Sequence, residues 1–332
     1  MAVTIYDVAE RAGVGIGTVS RVLNDSPQVR EKTRQRVLAA IEEFNYRPSP
    51  IAQRLSLRKT LAIGVITPFF TRPSFVERLR GVEAVIAESE YDLIIYNVET
   101  VARRDICFQE VPTSHRVDGL IIISLSPGDE DVARWAEAGV PVILVDADHP
   151  LLTRVVTDDV AGGYKATRHL IELGHRKIAY ISNPLDNPFG FTSSRYRYRG
   201  YRQALADFGL PFQPEYHQES DHSRAQTRAA TERLLSLDDP PTAIFVASDT
   251  RAMGVLEALK ARGLKVPDDV AVIGYDDIEV AEYLGLSTVH QPLYETGALG
   301  VELLLKQIDD PERSPMRVEL PLELVVRQTT VG

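Results

Sequence analysis

From residue 61 onward, short apolar runs alternate with helical patterns, and this alternation constrains the fold more than any other feature. The runs occupy residues 61–66, 92–98, 119–124, 141–146, 177–182, 242–248 and 270–275. They are apolar at nearly every position, which is typical of parallel strands covered by helices on both faces. The sequence therefore predicts an α/β core made of doubly wound parallel sheets.

The number of strands and a break near residues 155–160 indicate two lobes rather than one large sheet. Two late segments, STVHQP at 287–292 and VELPLELVVRQT at 318–329, can return strands to the lobes. We expect an N-lobe of about 61–159 plus about 292–320. We expect a C-lobe of about 160–291 plus about 321–332.

The charge is unevenly distributed between the first 60 residues and the rest. The chain carries a net charge of −10, yet residues 1–60 contain ten Lys or Arg and six Asp or Glu. A basic segment attached to an acidic body is typical of a small nucleic-acid-binding module on a larger domain. No apolar run is long enough to span a membrane, and the N-terminus does not resemble a signal peptide, so we expect a cytoplasmic protein with no membrane partner.

Residues 1–48 show the pattern of a small all-α helix-turn-helix domain. Thr4 and Asp7 form a capping-box pattern, and an apolar face follows until Gly13, where a left-handed helix end is expected. A second helical pattern begins at Ile16, and a third runs from about 29 to 44, with Val37, Leu38, Ile41 and Phe44 predicted to point inward. Ser49-Pro50 then opens a short helix within a linker at 49–60.

No motif of an enzyme stands out. The glycines at 13, 15 and 17 leave Thr18 where the third glycine of a dinucleotide fingerprint belongs, and a helix rather than a strand precedes them. The single cysteine, Cys107, excludes an intramolecular disulfide framework and a thiolate-rich metal site. We therefore expect no catalysis, no metal and no cofactor.

Both parts of the chain resemble the lactose/galactose repressor family of bacterial transcription regulators. In the head, VTIYDVAERAGVGIGTVSRVLN and TRQRVLAAIEEFNYRPSPIAQRL carry the resemblance. In the body it rests on AIFVASDTRAMG, GLKVPDDVAVIGYDD and STVHQP. The resemblance implies a headpiece that binds operator DNA and a core, like a periplasmic binding protein, that closes on a small effector.

The resemblance also implies which residues of the head contact DNA. The second helix, from Ile16 to Asn24, would lie in the major groove, and the helix near 50–57 would be a hinge helix in the minor groove. The implied DNA-binding residues are Thr4, Tyr6, Ile16, Gly17, Thr18, Ser20, Arg21, Asn24, Ala52 and Leu55. Gly17 departs from the larger or polar residues usual there, so base readout would depend on Ile16 and Arg21.

A symmetric homodimer on a pseudo-palindromic operator is the expected assembly. Some family members form tetramers through a C-terminal heptad helix, and no heptads follow VVRQTTVG in this chain. The expected function is that of a repressor whose operator affinity is modulated by the effector. A sugar-binding protein without a DNA-binding function is the alternative, but it leaves the first 60 residues unexplained.

Effector ligands are expected beyond the carboxyl ends of the strands, where open α/β sheets bind them. The predicted effector site contains six residues at such strand ends: Phe70, Ser124, Asp146, Asp158, Asp249 and Asp276. Two further residues, Arg197 and Gln291, match ligand positions of the family. The aspartates could instead cap the following helices, and Phe70 could be a packing residue. A sugar is the first expectation for the effector, with a purine or nucleoside, or a phosphoprotein corepressor, as alternatives.

Overall fold

The computed structural model describes residues 3–23, 25–46, 59–221 and 223–331. These residues form two compact units, one within 1–60 and one from 61 onward. The predicted hinge helix, with Ala52 and Leu55, and the predicted DNA contact Asn24 lie outside the described residues. Each unit is considered below by itself.

The described residues of the first unit form three helices, α1 (Ile5–Ala12), α2 (Ile16–Leu23) and α3 (Glu31–Glu43). The backbone N–H of Thr4 donates to Asp7 Oδ2 at 2.7 Å, so the aspartate completes the predicted cap of α1. Gly13 ends α1 with a left-handed φ of 61°, a conformation that glycine adopts without a Cβ penalty. The predicted helix-turn-helix outline is confirmed.

A small apolar cluster joins these three helices. Its buried residues are Val8, Ala9, Ala12, Val19, Val22, Val37, Ala40 and Tyr46. Ile41 and Phe44 pack against the cluster as predicted, but Leu38 is exposed, so its predicted inward position is wrong. Leu38 is adjacent to Val37, and a rotation of about 100° per residue turns it away once Val37 faces inward.

Residues 61–221 and 223–331 of the second unit form twelve short strands. They are β1 (Ala62–Pro68), β2 (Asp92–Val98), β3 (Gly119–Ile123), β4 (Val142–Val145), β5 (Thr153–Val156), β6 (Ile178–Ser182), β7 (His217–Glu219), β8 (Ala243–Val246), β9 (Ala271–Ile273), β10 (Thr288–His290), β11 (Arg317–Glu319) and β12 (Glu323–Val325).

Nine α-helices in the described part of the second unit follow these strands or connect them. They are α4 (Pro73–Ala87), α5 (Val101–Glu110), α6 (Asp129–Ala138), α7 (Asp159–Glu172), α8 (Ser193–Asp207), α9 (Arg224–Leu235), α10 (Asp249–Ala261), α11 (Glu279–Tyr283) and α12 (Leu293–Asp309).

The strands form one sheet in each lobe. The N-lobe sheet has the order β11-β5-β4-β3-β1-β2, and the C-lobe sheet has the order β7-β6-β8-β9. All pairs within these two sheets are parallel, whereas β10 and β12 form a separate antiparallel pair. The predicted α/β fold of two doubly wound sheets is confirmed.

The seven predicted apolar runs all contain strands, because burial on both faces selects nearly continuous apolar sequences. Two strands were missed. β5 is only four residues long and carries Arg154, and β7 has the polar sequence His-Gln-Glu. β7 is an edge strand of its sheet, where one neighbour is missing and polar residues remain in contact with water.

Two pairs of helices pack unusually closely, one pair in each lobe. In the N-lobe, a Cβ on Gly297 of α12 would lie 2.0 Å from the backbone oxygen of Arg78 on α4. In the C-lobe, a Cβ on Gly163 of α7 would lie 2.2 Å from the backbone oxygen of Arg197 on α8. A methyl group does not fit at either contact, so glycine sets the separation of both helix pairs.

Among the described residues, no helix is both long enough and apolar enough to cross a membrane.

We expect Gly297→Ala to lower the free energy of unfolding of the core by roughly 1–3 kcal/mol, since α4 and α12 must separate to admit the methyl group. The single tryptophan, Trp135, is 1% exposed in the N-lobe, and its fluorescence in urea reports the transition. Gly17→Ala serves as the control, because its added methyl meets no atom within 4 Å. An unchanged urea midpoint in Gly297→Ala would contradict the packing argument.

Candidate functional site

A cavity with about 600 Å³ of empty space opens between the two lobes, at the carboxyl ends of their strands. Ser124 follows β3 and Asp146 follows β4 on the N-lobe side, while Asn183 follows β6 and Ala247 follows β8 on the C-lobe side. The cavity lies where doubly wound sheets bind ligands. The remaining wall residues are Arg72, Ser74, Phe75, Arg78, Phe191, Thr192, Ser193, Ser194, Arg197, Ser248, Arg251, Asp276 and Gln291.

On the N-lobe side, an arginine and an aspartate form a buried ion pair. Arg78 Nη2 lies 3.2 Å from Asp146 Oδ2, and the same oxygen accepts a hydrogen bond of 2.5 Å from Ser124 Oγ. The close approach of Gly297 to the backbone of Arg78 fixes the main chain from which this guanidinium extends. Asp146 is therefore held in place by two donors.

On the C-lobe side, Arg197 is buried and makes several contacts at once. Its Nε donates to Asp159 Oδ1 at 2.8 Å, and its Nη1 donates to the backbone oxygen of Ala247 at 2.6 Å. The guanidinium carbon lies 3.6 Å from the centre of the Tyr275 ring, and Nη1 lies 3.7 Å from Asp276 Oδ1. These contacts present one edge of Arg197 to the cavity.

Gln291 joins the two halves of the site. Its Nε2 donates to Asp276 Oδ1 of the C-lobe at 2.6 Å, and its Oε1 accepts from Arg78 Nη2 of the N-lobe at 3.4 Å. A continuous polar network thus runs from Ser124 to Arg197 across the cavity wall. A ligand that bonds to these groups has to interact with both lobes.

Three residues of the wall have left-handed backbone conformations that are unusual for residues other than glycine. The φ angles are 56° at Ser124, 57° at Asp146 and 114° at Asp276. Such conformations cost of order 1–3 kcal/mol and persist where a functional geometry requires them. All three residues lie just past a strand, and the turn directs them into the cavity rather than along the sheet.

Burial dominates the electrostatics of the wall. It raises the pKa of Asp276 to about 6, although the charges of Arg197 and Arg78 act in the opposite direction. Burial also raises the pKa of Asp159. For Arg197, burial alone would lower the pKa, but the Asp159 carboxylate outweighs it and the pKa is raised. Arg197 is therefore permanently charged.

In the first unit, α2 presents an exposed surface of mixed character. Ile16, Gly17 and Arg21 are exposed, and Tyr6 of α1 is 68% exposed. Within residues 3–23 and 25–46, the Arg21 guanidinium has no ion-pair partner. An arginine without a partner beside exposed apolar and hydroxyl groups is suited to contact a base edge or a phosphate.

Comparison with known proteins agrees with both parts of this geometry. Residues 4–49 match the bacterial regulatory proteins of the lacI family, and residues 167–330 match a periplasmic binding protein-like domain. Catabolite control protein A of Priestia megaterium is 34% identical over 334 residues, which is 99% of this chain and 100% of the relative. This chain belongs to the lacI family.

Solved structures of LacI-family proteins have the same architecture. The lac repressor dimer bound to operator and the anti-inducer ONPF is 31% identical and has a TM-score of 0.85. The superposition covers 100% of this chain and 100% of that chain. The transcriptional regulator CelR in complex with cellobiose is 32% identical, with a TM-score of 0.73 over 98% of this chain and 99% of that chain. The family predicted from the sequence is confirmed, and the chain is a transcription regulator with a ligand-binding core.

The structure brings five of the eight predicted effector residues of this LacI-family protein to the cavity wall. These are Ser124, Asp146, Arg197, Asp276 and Gln291. Asp158 is placed elsewhere, because its side chain accepts from the backbone N–H groups of Val160 and Ala161 and caps α7. It lines an adjoining cavity that shares Asp146 with the first.

The other two predicted residues also lie away from the wall. Asp249 is fully buried and accepts from Thr288 Oγ1 at 2.7 Å and from the backbone N–H of Ile278 at 3.0 Å, so both oxygens hold the C-lobe together. Phe70 is 38% exposed and its backbone N–H donates to Asn97. The alternative of a helix-capping role describes Asp158, whereas Asp249 is bonded to Thr288 and Ile278 and caps none of the described helices.

Of the wall residues that the sequence did not identify, four carry a charged or amide side chain: Arg72, Arg78, Asn183 and Arg251. Two of them carried a signal. Arg72 is the N-cap residue of α4, and Arg251 is in the first turn of α10. Positive charges are disfavoured at the positive end of a helix, so arginines there suggest a role other than helix stability. Arg78 and Asn183 look ordinary in the sequence.

We expect Asp276→Asn to remove part of the pH dependence of stability. The folded state binds the Asp276 proton more tightly than the unfolded state, whose pKa is near 3.8, so the wild type loses stability as the pH rises from about 4 to about 6. Asparagine is neutral throughout, and the free energy of unfolding of Asp276→Asn relative to the wild type should increase by roughly 1–3 kcal/mol between pH 4 and 7. The free energy of unfolding is measured by urea titration at each pH, and parallel profiles for the variant and the wild type would contradict this expectation. Asp186→Asn, at an exposed position, is the control.

Proposed function

We propose that this regulator binds operator DNA through its headpiece and that a small effector in the interlobe cavity changes the operator affinity. The observation that carries the proposal is the polar network from Ser124 through Gln291 to Arg197, which takes residues from both lobes. The hydrogen bonds of Gln291 to Arg78 and Asp276 connect the two lobes. An effector that replaces these hydrogen bonds changes which relative position of the lobes has the lowest free energy. Binding energy is thereby converted into a conformational preference.

A polyhydroxy effector, a sugar or a sugar derivative, suits this wall best. Asp146 and Asp276 accept hydrogen bonds from hydroxyls, while Gln291 and Asn183 can both donate and accept. The related regulator CelR has been solved with cellobiose, which supports a saccharide ligand in this cavity. A purine or nucleoside, or a phosphoprotein corepressor, would use other contacts, and the function needs no chemical step on the effector.

The DNA-binding assembly we propose is a homodimer on a pseudo-palindromic operator, as in the lac repressor dimer bound to operator. Ile16, Gly17 and Arg21 of α2 would face the bases, and Asn24 would also contact the DNA. Thr4, Tyr6, Thr18 and Ser20 would contact the phosphate backbone, and Ala52 and Leu55 would enter the minor groove. A protein that binds chromosomal operators acts in the cytoplasm.

Filling the cavity should uncouple operator binding from the effector. Ser74→Trp places an indole at the wall without removing a member of the polar network, whereas loss of Arg197 would leave Asp159 buried without its ion-pair partner. We expect Ser74→Trp to bind operator like the wild type and to show no response to the ligand that shifts the wild type. Arg80→Trp, on the exposed surface of the same helix, should keep the response.

The ligand for this experiment comes from a screen of sugars, sugar phosphates and purines, in which the shift of operator affinity in the wild type is measured. A full response in Ser74→Trp would place the effector elsewhere and contradict the proposal.

Arg21→Ala should weaken binding to a duplex selected by the wild type from a randomised pool by about 10- to 100-fold, since a base contact of this kind contributes about 1–3 kcal/mol. The affinity is measured at fixed salt, together with the sequence preference of a second selection. Arg36→Ala removes the same charge from an exposed position on α3 and should cost much less. Equal losses in both variants would show that Arg21 contributes only net charge.

A further inference from the structure

Three helices begin at the interlobe cavity. Wall residues come from the start of α4 (Arg72 and Ser74), of α8 (Ser193 and Ser194) and of α10 (Ser248 and Arg251). The first turns of α4 and α8 contain no acidic residue, and Asp249 of α10 is bonded within the C-lobe instead. The positive ends of α4 and α8 therefore act on the cavity without an acidic residue in their first turns that neutralises them.

Arg251 adds a buried positive charge at the same place. It is 2% exposed, and its guanidinium donates to Asn183 Oδ1 and, at 3.2 Å, to Ser248 Oγ, which are both neutral acceptors. Its Nε is buried without a hydrogen-bond partner among the residues that the structure describes. Burial lowers the pKa of Arg251 to about 10, and the charge of Arg72 acts in the same direction. The Tyr180 hydroxyl and the Asp276 carboxylate act in the opposite direction. A buried charge in such surroundings destabilises the unliganded protein.

Arg72 is the second positive group of the cavity wall that has no ion pair among the described residues. Its guanidinium carbon lies 3.7 Å from the centre of the Phe69 ring, which holds the side chain at the mouth of the cavity. Partial burial lowers the pKa of Arg72. The Asp221 carboxylate, which lies beyond ion-pairing distance, raises it without offsetting the effect of burial. The stacked ring fixes the orientation of the guanidinium and leaves its donors available to a ligand.

The other two arginines of the wall are already neutralised. Arg78 pairs with Asp146, and Arg197 pairs with Asp159 and lies near Asp276. The excess positive charge of the cavity is thus confined to Arg72 and Arg251, next to the helix starts. The hydroxyl-binding groups Asp146, Asp276 and Gln291 form a separate part of the same wall.

We propose that the effector is an anionic polyhydroxy compound, a sugar that carries a carboxylate or a phosphate. Its anionic group binds Arg251 and Arg72 at the helix starts, and its hydroxyls bind Asp146, Asp276 and Gln291. This inference rests on the proposed function, because it assigns the chemical class of the ligand of the same cavity. It also explains why arginines stand at helix starts that would otherwise disfavour them.

The test compares matched ligands at constant ionic strength, set with sodium chloride. D-glucose, D-glucuronate, glucose 6-phosphate and inorganic phosphate are titrated into the full chain, and the thermal midpoint and the calorimetric Kd are measured. We expect at least one of the three anions to bind and to raise the midpoint beyond the effect of glucose. A preference for glucuronate over glucose 6-phosphate, or the reverse, distinguishes a carboxylate from a phosphate.

Three variants assign the anion to its site. Arg251→Met and Arg72→Gln should weaken anion binding by about ten-fold or more, since each removes charge-assisted hydrogen bonds. Arg80→Gln, an exposed arginine of α4, should bind like the wild type. Without any ligand, Arg251→Met should melt at or above the wild-type midpoint, which shows that it folds and that the charge serves the ligand.

Two results would overturn the anion site: anion binding that is unchanged in both Arg251→Met and Arg72→Gln, or no anion that binds more tightly than neutral glucose. If a neutral ligand shifts operator affinity and Ser74→Trp abolishes the shift, the proposed function stands without the anion site. If anions bind through Arg251 and Arg72 but leave operator affinity unchanged, the anion site stands and the proposed function fails.

Discussion

Direct backbone contact between helices at Gly163 and at Gly297 determines where the charges of the cavity lie. Gly163 brings α7 against the backbone of Arg197, and Gly297 brings α12 against the backbone of Arg78. Each arginine therefore starts from a fixed main-chain position and needs only its side-chain rotamer to reach a carboxylate. Preorganisation of this kind reduces the entropy lost on binding, because the polar groups do not have to be collected from flexible positions.

The buried charges that follow from this packing are stable only as a connected set. Taking a guanidinium or a carboxylate out of water is costly, and the pairs Arg78–Asp146 and Arg197–Asp159 offset the cost within each lobe. Gln291, which is neutral and has both a donor and an acceptor, connects the sets across the lobes. A neutral bridge is easier to displace than an ion pair, which makes this position suited to respond to a ligand.

The sequence predicted the sheets, the headpiece and much of the cavity wall for identifiable reasons. Buried parallel strands require continuous apolar runs, and the residues that follow these runs, such as Ser124 and Asp146, must lie at the ligand-binding edge. Asp249 follows such a run and Asp158 follows β5, but their carboxylates bond within the C-lobe, and sequence position alone does not separate this role from ligand binding. Arg78 could not be recognised, because its role depends on α12, which joins α4 from more than 200 residues later in the chain.

The proposed coupling between the cavity and the operator can be measured in both directions. Linkage requires that the effector change operator affinity by the same factor by which the operator changes effector affinity, and typical coupling energies of about 1–3 kcal/mol correspond to factors of roughly 5–150. We predict that calorimetric titration of the effector, with and without saturating operator duplex, gives two Kd values in that ratio. An effector Kd that operator DNA leaves unchanged would contradict the account, because the cavity would then be independent of DNA binding.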